Sequence, residues 1–168
     1  MSHHDRTLVL MRHAKSAYPG GIADHDRPLA PRGQREAGLA GDWLRGRMPT
    51  IDLVLCSTAT RTRETLARTG IDAPVRYVDR LYDSTPGIVI DEINGVGDEV
   101  STLLVVGHEP TTSELALGLA DPRSANTDAA DRISTKFPTS AIAVLRLNDS
   151  WADLELGSAQ LVDFHVPR

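Results

Sequence analysis

Leu8-Val9-Leu10-Met11-Arg12-His13-Ala14-Lys15-Ser16 is the stretch that decides how this chain is read. Its apolar opening has the length and continuity of a buried strand, and the run stops on Arg-His. In open α/β folds, ligands bind beyond the carboxyl ends of the strands. Arg12 and His13 therefore stand where chemistry is done. Arg offers a rigid, permanently charged fork for phosphate oxygens, and a neutral imidazole can act as a nucleophile. One Arg-His pair is a weak signal, but the arrangement recurs. Leu53-Val54-Leu55-Cys56-Ser57 leads to Arg61, and Leu103-Leu104-Val105-Val106-Gly107 leads to His108.

Working outward, residues 7–11 predict the first strand and 18–27 a loop punctuated by Pro and Gly. Residues 31–47 predict a helix, with Pro31 in its first turn and Pro49 beyond its end. A second strand follows at 53–57, a helix at 61–68 closed by Gly70, and a third strand at 75–78. Helix is expected at 86–97, a fourth strand at 101–106 and helix again at 112–119. Residues 122–137 are polar and give no clear pattern. Residues 141–147 and 153–156 read as a terminal pair turned by Asn148-Asp149-Ser150. Strands alternating with helices imply parallel strands covered on both faces. The expectation is one domain over residues 1–168, an α/β three-layer α/β/α sandwich with a mostly parallel sheet, after a disordered tail at 1–6. If the first, second and fourth strands are neighbours, Arg12, His13, Arg61 and His108 converge on one crevice.

Composition narrows the partners. The chain has 168 residues, 40% hydrophobic and 24% charged, which suits one soluble domain with a sizeable core. Aromatics are only 4%, so that core is aliphatic. A net charge of −5 argues against general affinity for nucleic acid. No stretch approaches transmembrane length. A single cysteine and an N-terminus without signal-peptide form point to the cytoplasm. His3 and His4 read as part of the tail. Cys56 lies before two arginines, but neither Arg61 nor Arg63 has the spacing of a cysteine-dependent phosphatase loop. It reads as a small buried residue. Asp24-His25-Asp26 resembles a ligand cluster without a second half, so no metal and no cofactor are expected.

Three segments carry a family likeness: Arg12-His13-Ala14-Lys15-Ser16, Ser57-Thr58-Ala59-Thr60-Arg61-Thr62-Arg63-Glu64-Thr65, and Val106-Gly107-His108-Glu109. They resemble, in order, the signature segments of the histidine phosphatase superfamily. Arg27-Pro28-Leu29-Ala30-Pro31-Arg32-Gly33-Gln34-Arg35-Glu36-Ala37 resembles the helix entry that follows the first of them. The compact length and the Arg-His-Ala-Lys-Ser opening are similar to the SixA-like phosphohistidine phosphatase branch. The resemblance implies a phosphoglycerate-mutase-like fold and a metal-independent phosphatase. It makes His13 the phosphorylated nucleophile and Arg12, Arg61 and His108 the phosphate pocket. Lys15 and Ser16 become candidate substrate contacts. The superfamily usually has Gly where this chain has Ala14.

The general acid is left open among Asp83, Asp26 and Glu109, with Asp83 in Leu81-Tyr82-Asp83 the nearest match. A weak acid suits a good leaving group. The expected substrates are therefore a phosphorylated small molecule or a phosphohistidine-bearing protein. A phosphomutase and a catalytically silent phosphate-binding module are the alternatives.

Overall fold

The computed structural model describes residues 5–48 and 50–168. The readings placed on His3, His4 and Pro49 lie outside the described residues. Arg6 does not belong to a tail: it opens the first strand, β1 (Arg6–Arg12).

Three more strands follow, β2 (Leu53–Ser57), β3 (Val75–Val78) and β4 (Thr102–Gly107). They join β1 in parallel register, β4 lying between β1 and β2. Strands β5 (Ile142–Leu147) and β6 (Gln160–His165) extend the sheet in antiparallel pairing, giving the order β3-β2-β4-β1-β5-β6. Side chains alternate across a strand, and both faces are covered. Leu8, Leu10, Leu103 and Val105 pack into one core cluster with residues of α3 (Pro86–Asn94), α4 (Thr111–Leu119) and α5 (Thr127–Thr135). Val9, Met11, Leu104 and Val106 pack on the other side with residues of α1 (Pro31–Arg47) and α2 (Thr60–Thr69). That is why these strands read as unbroken apolar runs. Truncating a fully buried member such as Leu8 or Leu103 to Ala should cost about 2–5 kcal/mol.

Two glycines set the position of α1. A Cβ on Gly33 would collide with the Lys15 carbonyl, and one on Gly41 with the Thr69 carbonyl. The helix therefore lies directly against the segment leaving β1 and against α2.

The C-terminal quarter departs from the sequence reading. Residues 153–156 are not a strand. Trp151–Asp153 form a 3-10 turn whose Trp151 is fully buried and donates Nε1–H to the Val100 oxygen at 2.8 Å. The apolar residues there anchor a loop, and the partner of β5 is β6. In that pairing Val144 faces Asp163 while Leu145 faces Leu161, so an extra residue bulges out. Leu161 and Phe164 then share one core cluster and simple alternation is lost. The patternless segment holds α5, capped by Asn126 Oδ1, which accepts from the Ala129 amide at 3.0 Å. It buries Ala129 and Ile133, one turn apart.

Candidate active site

The order β2-β4-β1 brings three strand ends side by side. Arg12 closes β1 opposite Gly107 of β4, and the His13 amide donates to the Gly107 oxygen at 3.0 Å. His108 follows β4. Arg61 stands in the first turn of α2, just past β2. The four side chains line one cleft of about 210 Å³, together with Lys15, Ser16, Arg27 and Glu109. The convergence expected from three strand ends is thus present. The rings of His13 and His108 are 5.3 Å apart, centre to centre.

Each group is held by at least one hydrogen bond. His13 Nδ1 lies 2.7 Å from the Ala14 oxygen. A carbonyl only accepts, so Nδ1 carries the proton and Nε2 keeps its lone pair. Arg12 donates Nη1–H to the Phe137 oxygen at 2.8 Å. Arg61 donates from Nη1 and Nη2 to Asp24. His108 Nε2 lies 2.8 Å from Ser57 Oγ. The remaining atoms, Arg12 Nε, Arg61 Nε and His108 Nδ1, are buried and have no protein partner. Buried polar atoms are normally paired. The cleft that these residues line gathers two guanidinium groups and two imidazoles around one space, a charge pattern suited to an oxyanion.

Electrostatics fit that use. Burial, reinforced by the neighbouring cations, pushes the His13 imidazole down to about 3. Burial, then Arg61, takes His108 down to about 4. Both rings are thereby kept neutral near pH 7, and a neutral His13 can attack. Burial also lowers the Arg12 guanidinium, which remains charged.

Ala14 replaces the family glycine without strain. It is absent from the described non-glycine residues with positive φ, Asp83 and Ser140, and its methyl is buried against Leu29 and Ala37. Its amide donates to Thr65 Oγ1 at 2.9 Å, fastening the nucleophile loop to α2. Ser16 lines the cleft with its Oγ accepting from Arg27 at 2.7 Å, which leaves its hydroxyl proton to donate. Cys56 is fully buried and its thiol is pushed up to about 12 by burial, which leaves it inert.

The acid candidates separate. Asp83 is exposed and lines an adjoining cleft of about 280 Å³ that shares Arg61, His108 and Glu109 with the first. Glu109 Oε1 and Oε2 accept from the Ser113 amide and hydroxyl at 2.7 and 2.8 Å, so its carboxylate caps α4. Asp26 lines neither cleft and sits beside His25 Nδ1 at 3.7 Å. In its place Asp24 reaches the site. Among the described residues no three His, Cys, Asp or Glu side chains cluster as metal ligands would. Asp24, Tyr82 and Ser57 are the site residues that sequence reasoning missed. Asp24 stood out only as part of a supposed ligand trio.

Residues 8–91 match the model of the histidine phosphatase superfamily (branch 1). The chain belongs to that superfamily. An uncharacterised protein from Mycobacterium tuberculosis is 70% identical over 158 residues, 94% of this chain and all of the relative. Among solved structures, this chain superposes on a protein from Nakamurella multipartitia assigned as a SixA phosphohistidine phosphatase. That match has a TM-score of 0.89 at 44% identity, over 97% of this chain and 96% of the other. The protein histidine phosphatase SixA complexed with tungstate gives 0.76 at 25% identity, over 96% and 97%. The fold is thus the phosphoglycerate-mutase-like sandwich of the superfamily, an architecture shared with these SixA proteins. Among the described residues no helix is long and apolar enough to cross a membrane.

Proposed function

We propose that this chain is a metal-independent phosphatase that works through a phosphohistidine formed on His13, with protein-borne phosphohistidine as its main substrate class. The observation that carries the reading is the convergence of Arg12, Arg61 and His108 on one cleft with His13, whose Nε2 keeps its lone pair. His13 Nε2 attacks phosphorus, and the leaving group departs with a proton. Charge builds on the equatorial oxygens, where the guanidinium groups of Arg12 and Arg61 stabilise it. His108 takes a proton from solvent as the anion arrives and adds a further donor. Such donors act where charge develops in the transition state. As His13 turns cationic, its Nδ1–H bond to the Ala14 oxygen strengthens. Water then attacks the phosphorus, releases inorganic phosphate and restores His13.

The leaving group would occupy the adjoining cleft. Asp83 is the acid candidate on that side. An imidazole leaves with little acid help, and the neighbouring open cleft accepts a side chain carried on a protein. The names of the SixA relatives and the tungstate held by one of them support the same substrate class. The test is phosphate release from a phosphohistidine protein and from p-nitrophenyl phosphate, in the presence of chelator. Release from both is expected, faster from the phosphohistidine. No release from either, or release only after Mg²⁺ or Zn²⁺ is added, overturns the proposal.

A further inference from the structure

Arg61 is held as firmly as it is presented. Its Nη1 donates to the Asp24 backbone oxygen at 2.8 Å and its Nη2 to Asp24 Oδ2 at 3.1 Å. The same Oδ2 accepts from the Tyr82 hydroxyl. Asp24 Oδ1 accepts from Arg27 Nε at 3.0 Å. Arg27 donates onward to Ser16 Oγ at 2.7 Å and to the Ala17 oxygen at 3.1 Å. One residue of the 18–27 loop therefore joins three walls of the cleft. It reaches α2 through Arg61, the segment after β3 through Tyr82, and the segment after β1 through Arg27.

This pattern has a consequence at Arg61. Asp24 occupies the Nη end of the guanidinium, and the buried Nε is left unpaired. Tyr82 closes the arrangement from the side, its ring 5.8 Å from the guanidinium and edge-on to His108 at 5.5 Å. A fork fixed in this way is held to one orientation beside the cleft rather than sampling many rotamers. Asp24 is also unsuited to giving up a proton. The hydrogen bond from Tyr82, ahead of those from Arg27 and Arg61, holds its carboxyl well below the usual carboxylate range.

We propose that Asp24 is a positioning residue for phosphoryl transfer: it fixes the guanidinium of Arg61 at the cleft wall and ties the 18–27 loop to α2. The inference rests on the phosphatase reading above. Asp24 acts through Arg61 and not on the leaving group, so its loss should weigh equally on all substrates.

The experiment compares Asp24→Ala, Asp24→Asn and Asp24→Glu with the wild type on p-nitrophenyl phosphate, an alkyl phosphate and phosphoramidate. Orthovanadate binding is measured by calorimetry alongside. Misplacing a group by about 1 Å can cost about 10²-fold, so Asp24→Ala should lower kcat/KM by roughly tenfold to that limit. The factor should be common to all three substrates, and vanadate binding should weaken with it. Asp24→Asn should lose less, and Asp24→Glu should recover part of the loss. A loss that grows with leaving-group basicity overturns the inference, because Asp24 would then be a proton donor. Unchanged activity and vanadate binding in Asp24→Ala overturn it too, as does tighter vanadate binding. If the wild type binds vanadate but turns over none of the three, the phosphatase reading fails and the vanadate arm still tests Asp24. If the wild type does not bind vanadate, both fail.

Discussion

The two adjoining clefts share Arg61, His108 and Glu109 and are built on opposite principles. The first is made from strand ends. Arg12, His13 and His108 follow directly from β1 and β4, and His13 and Arg61 are buried to within a tenth of complete. Each is braced by a bond to backbone or to a neighbouring side chain. The second is made largely from loop residues, Tyr82 to Ser84 with Glu109 and Pro110, and from Thr111 at the start of α4, with Asp83 exposed on its rim. Rigid elements hold the group common to all substrates, and a looser rim meets the part that varies. Function concentrated on loops over a rigid scaffold follows the same logic.

Arg61→Ala breaks the first cleft most sharply. Removing one preorganised donor costs on the order of 10²–10³ in rate, and kcat/KM should fall at least that far for every substrate. Arg63, exposed on the same helix, does not share its face. Arg63→Ala should be mild, and steady-state kinetics on both variants check the pair. Equal losses would mean that the first cleft owes its power to charge alone.

Asp83→Asn sharpens the contrast from the other side. General acid help is worth about 10²–10⁴, and an exposed rim carboxylate belongs at the low end of that range. Alkyl phosphate hydrolysis should slow by about 10², while phosphoramidate hydrolysis should change by well under tenfold. A uniform loss across leaving groups would place Asp83 with the phosphate machinery instead.

The smallest effect concerns stability. His13 and His108 titrate near pH 6.5 when unfolded and at about 3 and 4 when folded. Between pH 6.5 and about 4 the unfolded chain binds the extra protons. Stability should therefore be full above pH 6.5 and fall as the pH drops through that window. Thermal melts from pH 7.5 to 4 should show the slope, and His13→Ala should flatten it. A slope unchanged by that variant would mean that His13 is not buried in its neutral form.

The same division explains what the sequence disclosed. Strands β1, β2 and β4 are buried on both faces, so their runs are unbroken, and the residues just beyond them could be found by position alone. Arg12, His13, Arg61 and His108 were legible for that reason. Strand β6 was not, because its bulge puts Leu161 and Phe164 in one core cluster and breaks the alternation. Residues 153–156 misled, because a buried apolar residue anchoring a loop, here Leu154, looks like part of a strand. Asp24, Tyr82 and Ser57 were hidden because their roles depend on partners 37, 58 and 51 residues away. Helix α5 did carry a signal in its Asn126 cap and in the spacing of Ala129 and Ile133, within an otherwise polar stretch.

The most direct measurement traps the enzyme during turnover. Wild type and His13→Ala would be mixed with phosphorylated substrate, quenched in alkali, digested and mapped by mass spectrometry. The account predicts phosphate on His13 in the wild type, none in His13→Ala, and no turnover by a variant whose circular dichroism matches the wild type. Phosphate on Cys56 or on a serine, or full turnover by His13→Ala, would contradict it.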